Sequence, residues 1–368
     1  MIVKTFGWSF GLTALALLGA VLLGGPQAGL IVLILIVLEV SLSFDNAVVN
    51  ATILVRMNAF WQKIFLTVGI AIAVFGMRLL FPLLLVGITA QLNPVEVVRL
   101  ALAGGDPSVP GTYGFLLDEA HPAIAAFGGM FLLILFLDFI LEEREHTWLS
   151  WVERPLARIG KLDQLSVVIA VVLLVVVAET WASQHAETVL VSGLLGAVSY
   201  IAVNGLGELF ENQGSEEEAE GAEAADVEGG PSALALASGK AAFFLFLYLE
   251  VLDASFSFDG VVGAFAISQD IFIIATGLGV GALYIRSLTV FLVRKGTLQD
   301  YIYLEHGAHW AIGALALLLL LTIEFKIPEV VTGLIGVGFI AAALVSSIVR
   351  NRRLAAADAP HEATEVHV

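Results

Sequence analysis

The sequence predicts an all-α polytopic membrane protein of about ten transmembrane helices in two inverted-topology repeats. Three observations predict it. Hydrophobic residues make up 59% of the 368 residues and charged residues only 14%, with a mean hydropathy of +0.94. Continuous apolar stretches recur along the whole chain, and an acid-bearing motif occurs once in each half.

The composition comes first. A charged fraction well under the roughly 25% of soluble domains could not cover a water-facing surface. That excludes a cytosolic globule, a disordered chain and a collagen-like fibre. The absence of cysteine excludes disulfides, thiolate metal sites and cysteine catalysis.

The apolar stretches fall at 5–24, 28–54, 62–90, 122–141, 165–179, 187–207, 240–268, 271–293, 307–323 and 328–349. Most approach the roughly 20 residues that cross a hydrocarbon core. They are continuous, unlike the alternating segments of a β-barrel. Gly-rich runs such as 69–87 and 277–283 suit closely packed helices. With the N-terminus taken as one side, 13 of the 17 basic residues fall on that side. Arg99 and Lys326 fall on the other, and Arg78 and Arg286 lie inside spans. The positive-inside rule then puts both termini in the cytoplasm, and the expected location is a bacterial inner membrane. If residues 1–24 were a cleaved signal peptide, nine spans would remain in the same orientation. No A-x-A-like site stands out after that run, so a retained helix is expected.

This count divides the chain into a first transmembrane half at 1–207, with its motif helix at 28–54, and a second at 240–349, with its motif helix at 240–268. Between them lies an acidic linker at 208–239, and a polar cytoplasmic tail follows at 350–368. The linker carries nine carboxylates from Glu208 to Glu228 and is expected to be disordered. It is a candidate docking site for a protein partner, or a weak collector of cations near a pore mouth.

The repeat carries the unusual residues. Residues 39–46 read EVSLSFDN and residues 253–260 read DASFSFDG, and each motif precedes a span with one arginine, Arg78 or Arg286. The second and seventh stretches differ by an odd number, so they cross in opposite directions. Inverted repeats of this kind place transporter substrate sites near the midplane. An ionised Asp or Arg at a helix centre costs about 2.5–3.5 kcal/mol on insertion scales. Even so, Glu39, Asp45, Glu250, Asp253 and Asp259 all lie inside spans, with Arg78 and Arg286. Two arginine–carboxylate locks would account for part of this set. Two arginines cannot neutralise five carboxylates, and the surplus needs protons, water or a cation.

On a helix Glu39, Ser43, Asn46 and Asn50 share one stripe, as do Glu250, Asp253 and Ser257. Asp45 and Asp259 lie about 100° off their stripes. They reach the same cavity from its flank or through a local helix break, which Gly260 makes plausible in the second half. All these donors are oxygens, which suits Mg²⁺, Ca²⁺ or Mn²⁺ and disfavours Zn²⁺ and Cu⁺.

The two motifs, with an arginine in each following span, resemble the TerC family of integral membrane proteins over most of the chain. That family carries an E-x-x-L-S-x-D-N-type motif early and a D-x-x-x-S-x-D-type motif late. The resemblance implies a helical bundle of two related halves, distantly similar to the lysine-exporter superfamily. It also implies a link to tellurium resistance and to export of manganese or other metal ions. Carried over by position, Glu39, Asp45, Asn46, Asp253 and Asp259 would form the acidic metal site. Gly260, where a polar residue often stands, and the acidic insert depart from the family pattern.

The expected function is a secondary transporter that exports a divalent cation, Mn²⁺ or alternatively Ca²⁺ or Mg²⁺, with protons as counter-substrate. Ser43, Asn50, Glu250 and Ser257 would line the site, and Arg78 and Arg286 would hold the carboxylates when it is empty. The cation is cargo, and no tightly bound cofactor is expected. An enzyme is not expected. An intramembrane aspartyl protease would carry G-x-G-D, whereas Ser-Phe precedes Asp259 and no Asp follows Gly279-Val-Gly281. Neither a P-loop nor a basic nucleic-acid module is present. The alternative of another class is a membrane scaffold or sensor in a metal- or tellurite-stress complex, docked through the acidic loop.

Three further groups are ambiguous. Asp138, ahead of Glu142, Glu143 and Glu145, reads as a helix end entering water or as a cytoplasmic funnel for cations. Glu305, His306 and His309 read as interfacial helix-end residues or as a metal- or proton-binding group. Trp148, Trp151 and Trp310 fit an aromatic belt.

Overall fold

The computed structural model describes residues 2–357 except 107, 163, 224–238, 269 and 296–300. Each predicted apolar stretch is occupied by helix, and the described residues contain no strand. Continuous apolar runs have this one solution in lipid, because a helix satisfies its backbone groups internally.

Helix α1 (Ile2–Leu42) is two helices meeting at Gly25, where φ is 80° and ψ is 178°, a conformation that favours glycine, with Pro26 next. The chain reverses there. A Cβ on Gly29 would stand 2.5 Å from Val21 Cγ2 and 3.7 Å from the Leu17 carbonyl oxygen. Both arms pack on helix 271–295, but in opposite senses. On the first arm Ser9 Oγ meets Ser287 Oγ and Thr13 Oγ1 meets Tyr284 Oη, both at 2.9 Å. On the second, Leu35 lies against Gly277 and Glu39 against Gly281. The first two predicted spans are therefore a helical hairpin.

The second arm is interrupted at Ser43 (φ −100°, ψ 15°), and α2 (Phe44–Leu54) continues beyond it. The sequence makes a break at Gly260 plausible, but helix runs through that position and the break lies elsewhere. The break falls in the first motif, where the Ser43 hydroxyl donates to Glu39 Oε1 at 3.1 Å.

The third stretch is not one α-helix. It comprises α3 (Ala59–Phe65), α4 (Val68–Ala71), a π-helical segment (Ile72–Leu80) and α5 (Phe81–Thr89). Asn58 caps α3 by accepting from the Trp61 amide at 3.1 Å. A short helix that the apolar pattern misses, α6 (Pro94–Ala103), is capped the same way by Asn93. Helix α7 (Tyr113–Leu141) begins before the predicted residue 122, because Thr112 caps it there. It is the buried centre of the bundle.

A short helix, α8 (Ser150–Ile159), joins α7 to α9 (Leu165–Glu179). Helix α10 (Ala186–Glu223) continues past 208, where disorder is predicted. The rest of the linker, 224–238, and the tail from 358 lie outside the described residues. Next come α11 (Gly239–Ile267), which runs unbroken through Gly260, and α12 (Ile271–Lys295), then α13 (Leu304–Thr322) and α14 (Glu329–Ala357). The main apolar core draws on α2, α7, α9, α10, α11 and α13. Glycines permit its closest contacts, as where Gly313 faces the Phe136 ring.

Among the described residues seven helical stretches are long and apolar enough to cross a membrane, the first being the folded hairpin Phe6–Val40. Helix α11 carries Glu250, Asp253 and Asp259 in its run and is not among the seven. The chain is an all-α integral membrane protein. The second arm of α1 lies parallel to α12, and α12 returns antiparallel to α11 across 268–270. The two motif helices therefore run in opposite directions, as inverted repeats require.

Outside the spans, the buried carboxylate of Glu153 fastens α8 to α13. It accepts from the Trp148 amide at 2.9 Å, the Leu149 amide at 3.1 Å and Trp310 Nε1 at 3.0 Å, with His306 Nδ1 at 3.2 Å. Burial favours the protonated acid. The contact with His306 and the hydrogen bonds from Trp310 and Leu149 outweigh it and hold this carboxyl down to about 2. A lowered folded-state value means that the stabilisation is complete above the ordinary 4.5 and is lost as pH falls toward about 2. Glu153→Gln is expected to cost about 2 kcal/mol at neutral pH. The gap from the parent in thermal unfolding should close on acidification through that window.

Candidate functional site

Five charged side chains meet inside the bundle. Glu39 comes from the second arm of α1, Arg78 from the π-helical segment, Glu250 and Asp253 from α11, and Arg286 from α12. All are buried, with exposures of 1% to 5%. Arg78 Nη2 donates to Glu39 Oε1 in a direct ion pair. Asp253 Oδ2 lies between the arginines, 3.8 Å from Arg78 Nη1 and 3.7 Å from Arg286 Nη2. Arg286 Nη2 is 3.9 Å from Glu250 Oε1.

The irregular third stretch supports both arginines with backbone oxygen. Arg78 Nη1 donates to the Ala73 carbonyl at 2.6 Å, and Arg286 Nη2 to the Gly69 carbonyl at 3.4 Å. The Arg286 guanidinium also lies 3.8 Å over the Phe65 ring. A regular α-helix leaves few carbonyls for side chains, and π-helical segments often mark functional positions for this reason.

Glycines let the two halves approach, and they do so reciprocally. A Cβ on Gly69 would stand 2.9 Å from Glu250 Oε1, and one on Gly260 would stand 3.0 Å from Glu39 Oε2. Each half thus offers a glycine to the other half's glutamate. Gly281 differs, because its Cβ would meet Glu39 Cβ and Cγ at 2.5 Å. We expect Gly281→Ala to force the helices apart at a cost of about 1–3 kcal/mol. Gly69→Ala, which displaces only a carboxylate end, should leave the melting temperature near that of the parent. Thermal unfolding in detergent checks both.

Three carboxylates face two guanidiniums, so the described cluster holds one carboxylate more than its arginines can neutralise. Neither Glu250 oxygen accepts a hydrogen bond among the described residues. Asn46 and Asn50, on the stripe with Glu39 and Ser43, are each 1% exposed, and the Asn50 amide has no described hydrogen-bond partner. Unmet buried polar groups cost about 1–3 kcal/mol each. They also mark where water or a cation has partners waiting.

The structure brings together Glu39, Ser43, Arg78, Glu250, Asp253 and Arg286, with Asn46 and Asn50 farther along α2. The side chains of Asp45, Ser257 and Asp259 lie outside the described residues. No three His, Asp or Glu side chains among the described residues form a ready-made metal cage; the arginines hold the carboxylates instead. Sequence reasoning missed Phe65, Gly69 and the Ala73 carbonyl. The glycine inside an apolar span was a signal for Gly69, and nothing local pointed to the other two.

The second polar region divides by partner. Asp138 Oδ2 accepts from the Tyr200 hydroxyl at 2.6 Å. His306 faces Glu153, whereas His309 stacks on Phe139 with centroids 3.6 Å apart. The two histidines, which share contact with the Phe139 ring, therefore differ in their other partners.

The family described as protein of unknown function (DUF475) matches residues 44–354. No curated protein and no solved structure matches the chain.

Proposed function

The chain belongs to the DUF475 family, whose description assigns no function, and from that premise we propose that it is a secondary transporter exporting a divalent metal cation. Mn²⁺ is the first candidate, with Ca²⁺ and Mg²⁺ as alternatives. The observation that carries the reading is the surplus of buried carboxylate between two antiparallel motif helices, with Glu39, Glu250 and Asp253 against Arg78 and Arg286. So costly an arrangement is retained in membranes chiefly for ion pathways and proton relays. The oxygen-rich donor set and the resemblance to the TerC family, with its link to metal export and tellurium resistance, support the same reading.

In this reading the arginines are internal counter-ions. They occupy the carboxylates while no cation is bound and yield them when one arrives. Asp45 and Asp259 complete the ligand set from the flanks, with Asn46 and Ser257 as neutral oxygens. Protons are the counter-substrate, because a carboxylate that releases a metal can take H⁺. Rocking of one half against the other gives alternating access. Cytoplasmic termini follow from the distribution of basic residues, and export as the direction from the resemblance to the TerC family.

Flux of Mn²⁺, Ca²⁺ and Mg²⁺ into proteoliposomes tests it, with Asp45→Asn and Asp259→Asn beside the parent. Each variant should lose at least the roughly 10–100-fold that removing a supporting group costs a metal site. Parent-like transport by both would refute the site.

One observation favours a second reading. Both arginines are already paired, as in a static lock within a scaffold or sensor. Deleting residues 211–230 separates the two, since a transporter keeps its flux and a docking scaffold loses its function.

A further inference from the structure

A cavity of about 530 Å³ lies where α2, α7, α9, α10, α11 and α13 meet, on the side that the basic residues mark as cytoplasmic. Its wall holds polar groups that the buried cluster does not use, among them Thr52, Asp138, Tyr200, Asn204, Glu305 and His309. Arg144 is paired with Glu142 at 2.6 Å and lies over the Phe139 ring at 3.9 Å. That leaves Asp138 and Glu305 against Arg56, so the wall is negative on balance.

His309 gives the cavity a more specific chemistry. The residue is 8% exposed, and its Nδ1 lies 2.9 Å from the Glu305 carbonyl oxygen. A carbonyl can only accept, so Nδ1 carries the hydrogen and Nε2 of the neutral ring keeps its lone pair. The stacking on Phe139, at an interplanar angle of 8°, fixes the ring. Nε2 has no hydrogen-bond partner among the described residues.

Helix α2 joins this cavity to the charged cluster. Val49, Thr52 and Ile53 line the cavity. Asn50, Asn46, Ser43 and Glu39 descend from there on one buried stripe, about 16 Å in all at the helical rise.

We propose that the cavity is the vestibule through which the cation is admitted, Asp138 and His309 making first contact with a partly hydrated divalent ion that then passes along Asn50 and Asn46. The inference rests on the transport reading and narrows its substrate. Imidazole nitrogen is a ligand for first-row transition metals, whereas Mg²⁺ and Ca²⁺ are served by oxygen. Two protein ligands supplemented by water bind weakly, which suits an ion that must leave again.

The lack of cysteine makes a direct test possible. Thr52→Cys in the full-length protein is labelled with a membrane-impermeant thiol reagent in inside-out and right-side-out vesicles. Labelling is expected from the cytoplasmic face, and Mn²⁺ at about ten times its dissociation constant should slow it about tenfold, with Mg²⁺ at the same concentration giving little protection. Adding Asp138→Asn or His309→Gln should remove the Mn²⁺ protection, and a parent-like labelling rate confined to the cytoplasmic face without Mn²⁺ reports that each variant is folded. Equal labelling from both faces, absence of Mn²⁺ protection, or protection that survives both substitutions would overturn the vestibule. Flux measured separately keeps the two readings apart. Protection without flux supports the vestibule as a binding site and refutes transport, whereas flux without protection refutes the vestibule alone.

Discussion

Asp253→Asn is expected to abolish cation flux and to destabilise the bundle in the same step. Asp253 is the one acid, among the described residues, within ion-pair range of both arginines, at 3.8 Å from Arg78 and 3.7 Å from Arg286. Asparagine has nearly the same shape and no charge. Among the described residues Arg286 would then keep Glu250, at 3.9 Å and without a hydrogen bond, together with the Gly69 carbonyl and the Phe65 ring. Breaking a buried pair costs about 3–5 kcal/mol, because an uncompensated charge stays behind. The cation would also lose a ligand shared by both halves, so flux should fall by at least about 100-fold. Proteoliposome flux and thermal unfolding in detergent read the two effects on one preparation. A variant that melts and transports like the parent would show that Asp253 does not bridge the halves.

The second large effect is expected at the Arg78–Glu39 pair. Arg78→Gln leaves the Glu39 carboxylate 1% exposed with the Ser43 hydroxyl as its described donor. The loss should again reach about 3–5 kcal/mol. Glu39→Gln should cost less, because Arg78 keeps Asp253 and the Ala73 carbonyl. Combining the two removes the pair rather than half of it, so the double variant should be more stable than additivity predicts, with a coupling energy of about 2–3 kcal/mol. Unfolding of the parent, both single variants and the double variant measures it. Strict additivity would mean that the two groups do not interact.

These two experiments address residues that differ in how legible they were. An acid or arginine in an apolar run stands out because lipid makes it expensive, so Glu39, Arg78, Glu250, Asp253 and Arg286 could be named from the sequence. Their partners could not. Nothing local says that Arg78 spans from Glu39 in its own half to Asp253 in the other. Glu153 was missed for the opposite reason. In a charged loop an acid reads as solvated, and only the approach of α13 brings Trp310 and His306 to it. His306, which the sequence left open between a helix-end residue and part of a metal- or proton-binding group with His309, faces Glu153 for the same reason.

Helix breaks show the same division. Gly25 and Pro26 carry a local turn signal, and the chain reverses there. Gly260 carries a similar signal, yet α11 runs straight through it, because the missing side chain makes room for Glu39. The interruption falls at Ser43, and the π-helical segment forms where Arg78 reaches the Ala73 carbonyl.

By itself the sequence determined the fold class, the apolar stretches, the opposed motif helices and which charges stand inside apolar runs. Each of these follows from local cost: an apolar run must be helical in lipid, and a charge within it must have a reason. Only the tertiary structure decided which carboxylate each arginine holds, where the helices yield, and that a cavity with Asp138 and His309 lies above the Asn50 stripe. Those outcomes depend on how closely helices far apart in the chain can approach. Gly69, Gly260 and Gly281 set that distance only once their partners are in place.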